Sequence, residues 1–204
     1  MTHSSSSAQK PISPLYCAAN NGHINACILL LEHGVDLSHI CSGRAMMVAI
    51  EHGYTDICRL LLDYGMNPNG EKDNFTYIHY SIRHNHIDIV ELLLDTGACM
   101  GIYKNYVPPL TYASYCQCYD ICVLLLDRGA DHNECEDNNP FKKRTAIYEA
   151  VRNRNDTICK LLLSRGAVIS SDHLRIEDED GTKDLDEELE RAYFLIDIMG
   201  SMRR

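Results

Sequence analysis

The 204-residue sequence has no apolar run of roughly 18 residues, so no stretch of it is expected to span a bilayer. It also lacks a basic start followed by an apolar run. The opening "MTHSSSSAQKPIS" does not read as a secretion signal, and the Ser-rich residues 1–11 are expected to be disordered. Positive charge is scarce: 19 Lys and Arg stand against 29 Asp and Glu, a formal net charge of -10. Phosphate binding needs clustered cations, so the balance argues against nucleic acid as the main partner and gives no support to an anionic membrane surface. Catalytic constellations are missing too. There is no Gly-rich phosphate loop, no H-E-x-x-H, and no G-x-S-x-G in a strand–turn–helix context. No catalytic residue, cofactor site or metal site is therefore assigned.

What the chain does have is one phrase written five times. "DICVLLLDRGADHN" runs from Asp120 to Asn133; "DICRLLLDYGMNPN" starts at Asp56, "DIVELLLDTGACMG" at Asp88, "TICKLLLSRGAVIS" at Thr157, and a looser "NACILLLEHGVDLS" at Asn25. The glycine after each Leu triplet falls at Gly34, Gly65, Gly97, Gly129 and Gly166, giving spacings of 31, 32, 32 and 37. Self-similarity at such a period marks a stacked repeat. Each unit reads as a polar link, a first helix, a tight turn, and a second helix carrying the Leu triplet. The first helices open at "SPLY" (Ser13–Tyr16), "TYIH" (Thr76–His79), "PPLT" (Pro108–Thr111) and "TAIY" (Thr145–Tyr148). Proline suits a first turn, where its missing N–H costs nothing. Small residues follow at Ala18–Ala19, Ala49, Ala113 and Ala150, where helices must approach closely. Glycine after the triplet closes the second helix in the left-handed conformation.

Period, helix order and punctuation together make residues 12–169 resemble the ankyrin repeat family. The resemblance implies an all-α solenoid of helix-turn-helix units with short β-hairpin or loop fingers. Five units are expected, at about 12–38, 39–69, 70–101, 102–133 and 134–169. Departures are visible. The second unit has "RAMMVA" where the family has T-P-L-H-x-A, and the Gly-His turn survives only as Gly22–His23. Elsewhere it reads Gly53–Tyr54, Asn85–His86, Gln117–Cys118 and Arg154–Asn155. Residues 170–204 are read as an acidic segment and a C-terminal capping helix. "RAYFLIDIMG" overlays "TICKLLLSRG", and Leu185–Met199 stands as a surviving second helix. Ten acidic residues against three basic ones between Asp172 and Arg191 give -7, most of the chain's -10, so the array itself is close to neutral.

Ten cysteines is a high count. Without a secretion signal, and with most cysteines tracking the repeat, free thiols in a reducing compartment, cytoplasmic or nuclear, are expected. Cys27, Cys58, Cys122 and Cys159 share one second-helix position, filled by Val90 in the third unit. Cysteine and valine both suit a core, so packing is the reading for this column. Cys116, Cys118 and Cys122 spell C-x-C-x3-C, and a zinc or thiol-redox protein using Cys116, Cys118 and Cys135 is the rival from another class. His52, His84 and Cys116 also share a column, but helices of adjacent units lie about 8–10 Å apart, too far for easy shared ligation.

In the family the concave surface, made by the finger tips and the exposed end of each first helix, binds other proteins. Carried over by position, this gives Asn20, Asn21, Glu51, His52, Arg83, His84, Tyr115, Cys116, Arg152 and Asn153 on the first helices. The fingers add Lys72, Phe75, Lys104, Phe141, Lys142 and Arg144. Aromatic and Arg side chains are typical anchors, so Arg83, Tyr115 and Arg152 stand out, with Phe75 and Phe141 at the tips. The link before the fifth unit, "ECEDNNPFKKRTAIY", is longer than the others and can carry Phe141 and Lys142–Arg144 outward. The family resemblance further implies that Asn69 and Asn133 occupy positions that asparaginyl hydroxylases modify in some members. The expected function is a non-catalytic protein-interaction module, an adaptor or inhibitor acting as a monomer. A host-modulating viral or bacterial effector is its more specific alternative. No F-box-like or SOCS-box-like motif supports a ubiquitin-ligase adaptor.

Overall fold

The computed structural model describes residues 13–37, 40–72, 75–101, 107–134 and 144–168. These form ten helices in five consecutive pairs: α1 (Pro14–Asn20) with α2 (Ile24–Glu32), α3 (Ile40–Glu51) with α4 (Thr55–Asp63), α5 (Tyr77–Arg83) with α6 (Ile87–Asp95), α7 (Pro109–Tyr115) with α8 (Tyr119–Asp127), and α9 (Ala146–Arg152) with α10 (Asp156–Ser164). First helices stack on first helices and second on second, each touching its neighbour along the array. Residues 1–11, the finger residues Lys104, Phe141 and Lys142, Cys135, and everything expected of residues 170–204 lie outside the described residues.

The starts of the first helices follow from their capping residues. Ser13 accepts the Tyr16 N–H at 3.1 Å, with Pro14 in the first turn. Thr145 accepts the Tyr148 N–H at 3.4 Å, and Pro109 opens α7. These bonds satisfy amides that a helix leaves orphaned. In the second unit the helix runs back to Ile40 instead of opening at Arg44. Asp56, Asp88, Asp120 and Asp156 sit in the first turns of four second helices, where a carboxylate meets the positive end of the helix dipole.

The repeated glycines terminate the second helices in the left-handed region; Gly65, for example, has φ 92°. There the Gly65 N–H donates to Leu62 O at 2.9 Å and the Met66 N–H to Leu61 O at 3.1 Å, the pair of bonds that closes a Schellman end. The same pair closes every first helix. Gly22 and Gly53 supply the left-handed residue in two turns, but Asn85 (φ 55°), Gln117 (φ 62°) and Arg154 (φ 54°) do so in the other three.

Leu61, Leu93, Leu125 and Leu162 are all fully buried, as are Ile57, Ile89, Ile121 and Ile158 one turn earlier. Each such side chain contributes about 1.5–3 kcal/mol relative to exposure. Cys27, Cys58, Val90, Cys122 and Cys159 form a continuous buried column beside them, none more than 1% exposed. Burial pushes the Cys58 and Cys122 thiols up to about 12, and raises Cys27. Sulfur held this way packs as an apolar atom and is not available as a thiolate.

One finger is described. β1 (Glu71–Lys72) pairs antiparallel with β2 (Phe75–Thr76), Glu71 opposite Thr76. Asn69 at its base reaches across to the next unit: its Nδ2 donates to Gly97 O at 3.2 Å, and its Oδ1 accepts the Cys99 N–H at 2.8 Å. Asn133 repeats part of this two units on, accepting the Val168 N–H at 3.1 Å. The two asparagines thus fasten neighbouring units together.

Candidate protein-binding face

The exposed ends of the first helices form one edge of the array. Arg83, Tyr115 and Arg152 fall at equivalent positions of α5, α7 and α9, and all three are exposed, Tyr115 by 52%. The Asn153 Nδ2 donates to Tyr115 O at 3.1 Å, tying the last two units of this edge. Tyr115 stacks on Tyr112, centroids 6.1 Å apart. Tyr112 in turn meets Phe75 and His79, each at 5.3 Å, and Phe75 meets Tyr80 at 6.2 Å. The result is a connected aromatic path running from the finger of the third unit to the edge of the fourth.

His79 fixes that path from beneath. It is 3% exposed; its Nδ1 accepts from the Thr76 N–H at 3.3 Å and lies 2.8 Å from Thr76 Oγ1, while its Nε2 lies 2.7 Å from Val107 O. With the proton on Nε2 all of these are satisfied, and the third unit is bonded to the link that enters the fourth. Burial lowers its pKa, so the neutral ring that this pattern requires is the favoured form. Tyr112 is pushed up to about 12, first by burial and then by Cys116 beside it; Arg83 pulls the other way on both Tyr112 and Cys116.

The remaining expected residues divide. Lys72 is exposed on β1. Phe75 borders the turn of the finger, opposite Lys72, and is half-buried against Tyr112, because an aromatic ring gains more by packing on its neighbours than by standing in water. Arg144 turns back toward Glu149, with its Nε 3.8 Å from Oε1, and so is not simply presented outward. Asn21 donates to Cys17 O at 2.8 Å and closes its own helix. Glu51, His52 and His86 gather around His84, next to Arg83; His84 and His86 stack at 6.1 Å and His52 lies against Tyr54 at 5.4 Å. Asn20 stands on the first unit, away from the path.

Tyr80, Tyr112 and Glu149 belong to the same surface and were missed in the sequence. They lie three residues before Arg83, Tyr115 and Arg152, and positions three apart share a helix face; that spacing was the available signal. Glu149 is the exception within its column. It is 2% exposed, its Oε2 has no hydrogen-bond partner among the described residues, and burial raises its pKa against the pull of Arg144 and Arg152.

Cys116 is half-buried and its thiol is raised by burial; Cys118 is buried, pushed up to about 11, with its Sγ 3.4 Å from Ile82 O. Among the described residues no three His, Cys, Asp or Glu side chains are grouped so as to hold a metal ion. No helix among them is long and apolar enough to cross a membrane.

The family profile of ankyrin repeats in three copies matches residues 3–72 and 69–137 of this chain. With the paired helices, their Schellman-closed turns and the antiparallel finger, this settles the class: the chain belongs to the ankyrin repeat family. Ankyrin repeats are generally protein-interaction modules. Among curated proteins, the Probable E3 ubiquitin-protein ligase XBOS33 of Oryza sativa subsp. japonica is 39% identical over 57 residues. That match covers 27% of this chain and 11% of the rice protein, so the activity in the name stays with the rice protein.

Proposed function

We propose that the chain acts without catalysis, as an adaptor or inhibitor, by laying the concave face of its third to fifth units against another protein. The observation that supports this is the connected path Phe75–Tyr112–Tyr115, exposed at Tyr115 and flanked by Arg83 and Arg152. Exposed aromatics joined to a packed base carry large contact area with little conformational freedom to lose, and Arg adds charge and planar hydrogen bonding. Free, buried cysteines fit a reducing compartment, the cytoplasm or nucleus, and the module works as a monomer.

The test is affinity capture from lysate with wild type beside an Arg83→Ala, Tyr115→Ala, Arg152→Ala variant, after both are shown to fold. A partner held by wild type and lost by the variant supports the face. A partner held equally by both moves the binding surface elsewhere on the molecule.

A further inference from the structure

Charge is segregated across the array. The second helices present Asp63, Asp88, Glu91, Asp95, Asp120 and Asp127 to solvent. The arginines at the ends of α8 and α10 are already neutralised there. Arg128 lies 2.7 Å from Glu91 and 2.6 Å from Asp95, and Arg165 lies 2.8 Å from Asp127. On the opposite edge the arrangement reverses over α5, α7 and α9, with the exposed Glu51 of α3 one unit before them. Arg83 and Arg152 are exposed, and among the described residues neither has an acidic side chain at ion-pairing distance. Glu149, the one acidic residue of α5, α7 and α9, is buried. The face therefore has two guanidinium groups that no described acidic side chain pairs, with an exposed phenol ring between them, opposite a side on which the exposed acids outnumber Arg59 and Lys160.

We infer that this face takes an extended acidic segment of a partner protein, with one apolar or aromatic side chain seated on Tyr115 and a carboxylate reaching each arginine. The inference rests on the concave-face reading and names its partner's chemistry. Charge complementarity selects the sign, because an acidic segment is attracted to this edge and repelled by the back. Guanidinium pairs carboxylate bidentately, which fixes position as well as sign. Geometry sets the spacing. Two unit-to-unit steps of about 9 Å separate Arg83 from Arg152. An extended chain covers that distance in about five or six residues, so the two carboxylates flank the apolar residue at roughly equal distances.

The test is selection from a phage library of random peptides about 12 residues long, run on the full chain and in parallel on an Arg83→Glu, Arg152→Glu variant. An Arg59→Glu variant, changed on the second-helix side, serves as control, and circular dichroism checks the fold of each. The expected result is enrichment of Asp and Glu on both sides of an aromatic or large aliphatic residue on wild type and on the control. A selected peptide should lose about tenfold or more in affinity on the charge-reversed variant and weaken as salt is raised. Selection without acidic bias, or the same peptides binding the charge-reversed variant equally, overturns the inference. So does tighter binding of a single-stranded oligothymidylate than of any selected peptide, which would assign the face to nucleic acid. Failure here is separable from failure of the broader reading. If Tyr115→Ala still abolishes partner capture while selection shows no acidic bias, the face stands and its partner is of another chemistry.

Discussion

The first two units and the last three solve the same turn differently. In the first two, Gly22 and Gly53 take the left-handed residue between the paired helices; in the others Asn85, Gln117 and Arg154 do. The hydrogen bonds that close the turn are the same throughout, so the fold requires the conformation and not the glycine. What lies above the turn in the next unit accounts for the difference. A Cβ added at Gly22 would be 3.0 Å from the Tyr54 ring, and one at Gly53 would be 2.8 Å from the His86 ring. The residues following in register above Asn85 and Gln117 are the smaller Cys118 and Asn155. Left-handed backbone costs a residue with a Cβ about 1–2 kcal/mol. The units that accept this cost also carry Arg83, Tyr112, Tyr115 and Arg152, the residues of the proposed binding face; local strain tends to gather at functional sites.

The sharpest way to break the comparison is to put a Cβ under a ring. Gly53→Ala combines a left-handed alanine with an overlap against His86, and is expected to destabilise by about 3 kcal/mol in urea denaturation. His86→Ser in the same chain should recover part of that loss; purely additive effects would show that the overlying ring is not the cause. Next in size is the buried column that both regions share. Cys122→Ser should cost about 1–3 kcal/mol by burying an unpaired hydroxyl, while Cys122→Val, which copies Val90, should cost less than about 1.5 kcal/mol. An unchanged melting temperature for the serine variant would end the packing account.

Glu149 tests whether the fifth unit carries a further local cost. Replacing it with leucine should stabilise the chain by about 1–2 kcal/mol at pH 7, because its carboxylate is buried without full partners. Its folded pKa lies above the unfolded one, so its penalty applies at neutral pH and is relieved as pH falls through the raised value. The stability gap between Glu149→Leu and wild type should therefore narrow on acidification; a gap that widens would reverse the assignment. The smallest expected effect is at the turn itself. Gln117→Gly should raise stability by about 0.5–1 kcal/mol, the left-handed penalty removed less the extra freedom glycine has when unfolded.

Much of this architecture was legible because one unit's signals recur. The Leu triplets, the glycines behind them, and the Ser13, Thr145 and Pro109 openings all act within a few residues of themselves, so sequence carries them directly. The partial burial of Phe75 was not legible because its packing partner, Tyr112, comes from the following unit. Glu149 resembled an ordinary surface acid because nothing nearby in sequence shows its burial. Tyr112 sits one turn before the exposed end of its helix, where the sequence alone does not separate a surface ring from a buried one. For Phe75 the missing information is a contact between units, which the repeat period locates only to within a helix face.

The fastenings between units differ in chemistry, and that has a consequence under acid. Asn69 and Asn133 clamp their junctions with amide groups, which do not titrate in the range where proteins fold. Between the third and fourth units Gly101 stands where an asparagine would, and the link to Val107 is made by an imidazole whose Nδ1 must keep its lone pair for Thr76. Protonating that ring turns an acceptor into a donor facing a donor. With the folded pKa of His79 held below its ordinary value, this contribution is intact at neutral pH and fades as pH falls below about 6.5. Mild acid thus weakens the contact that His79 makes across this seam, beneath Tyr112.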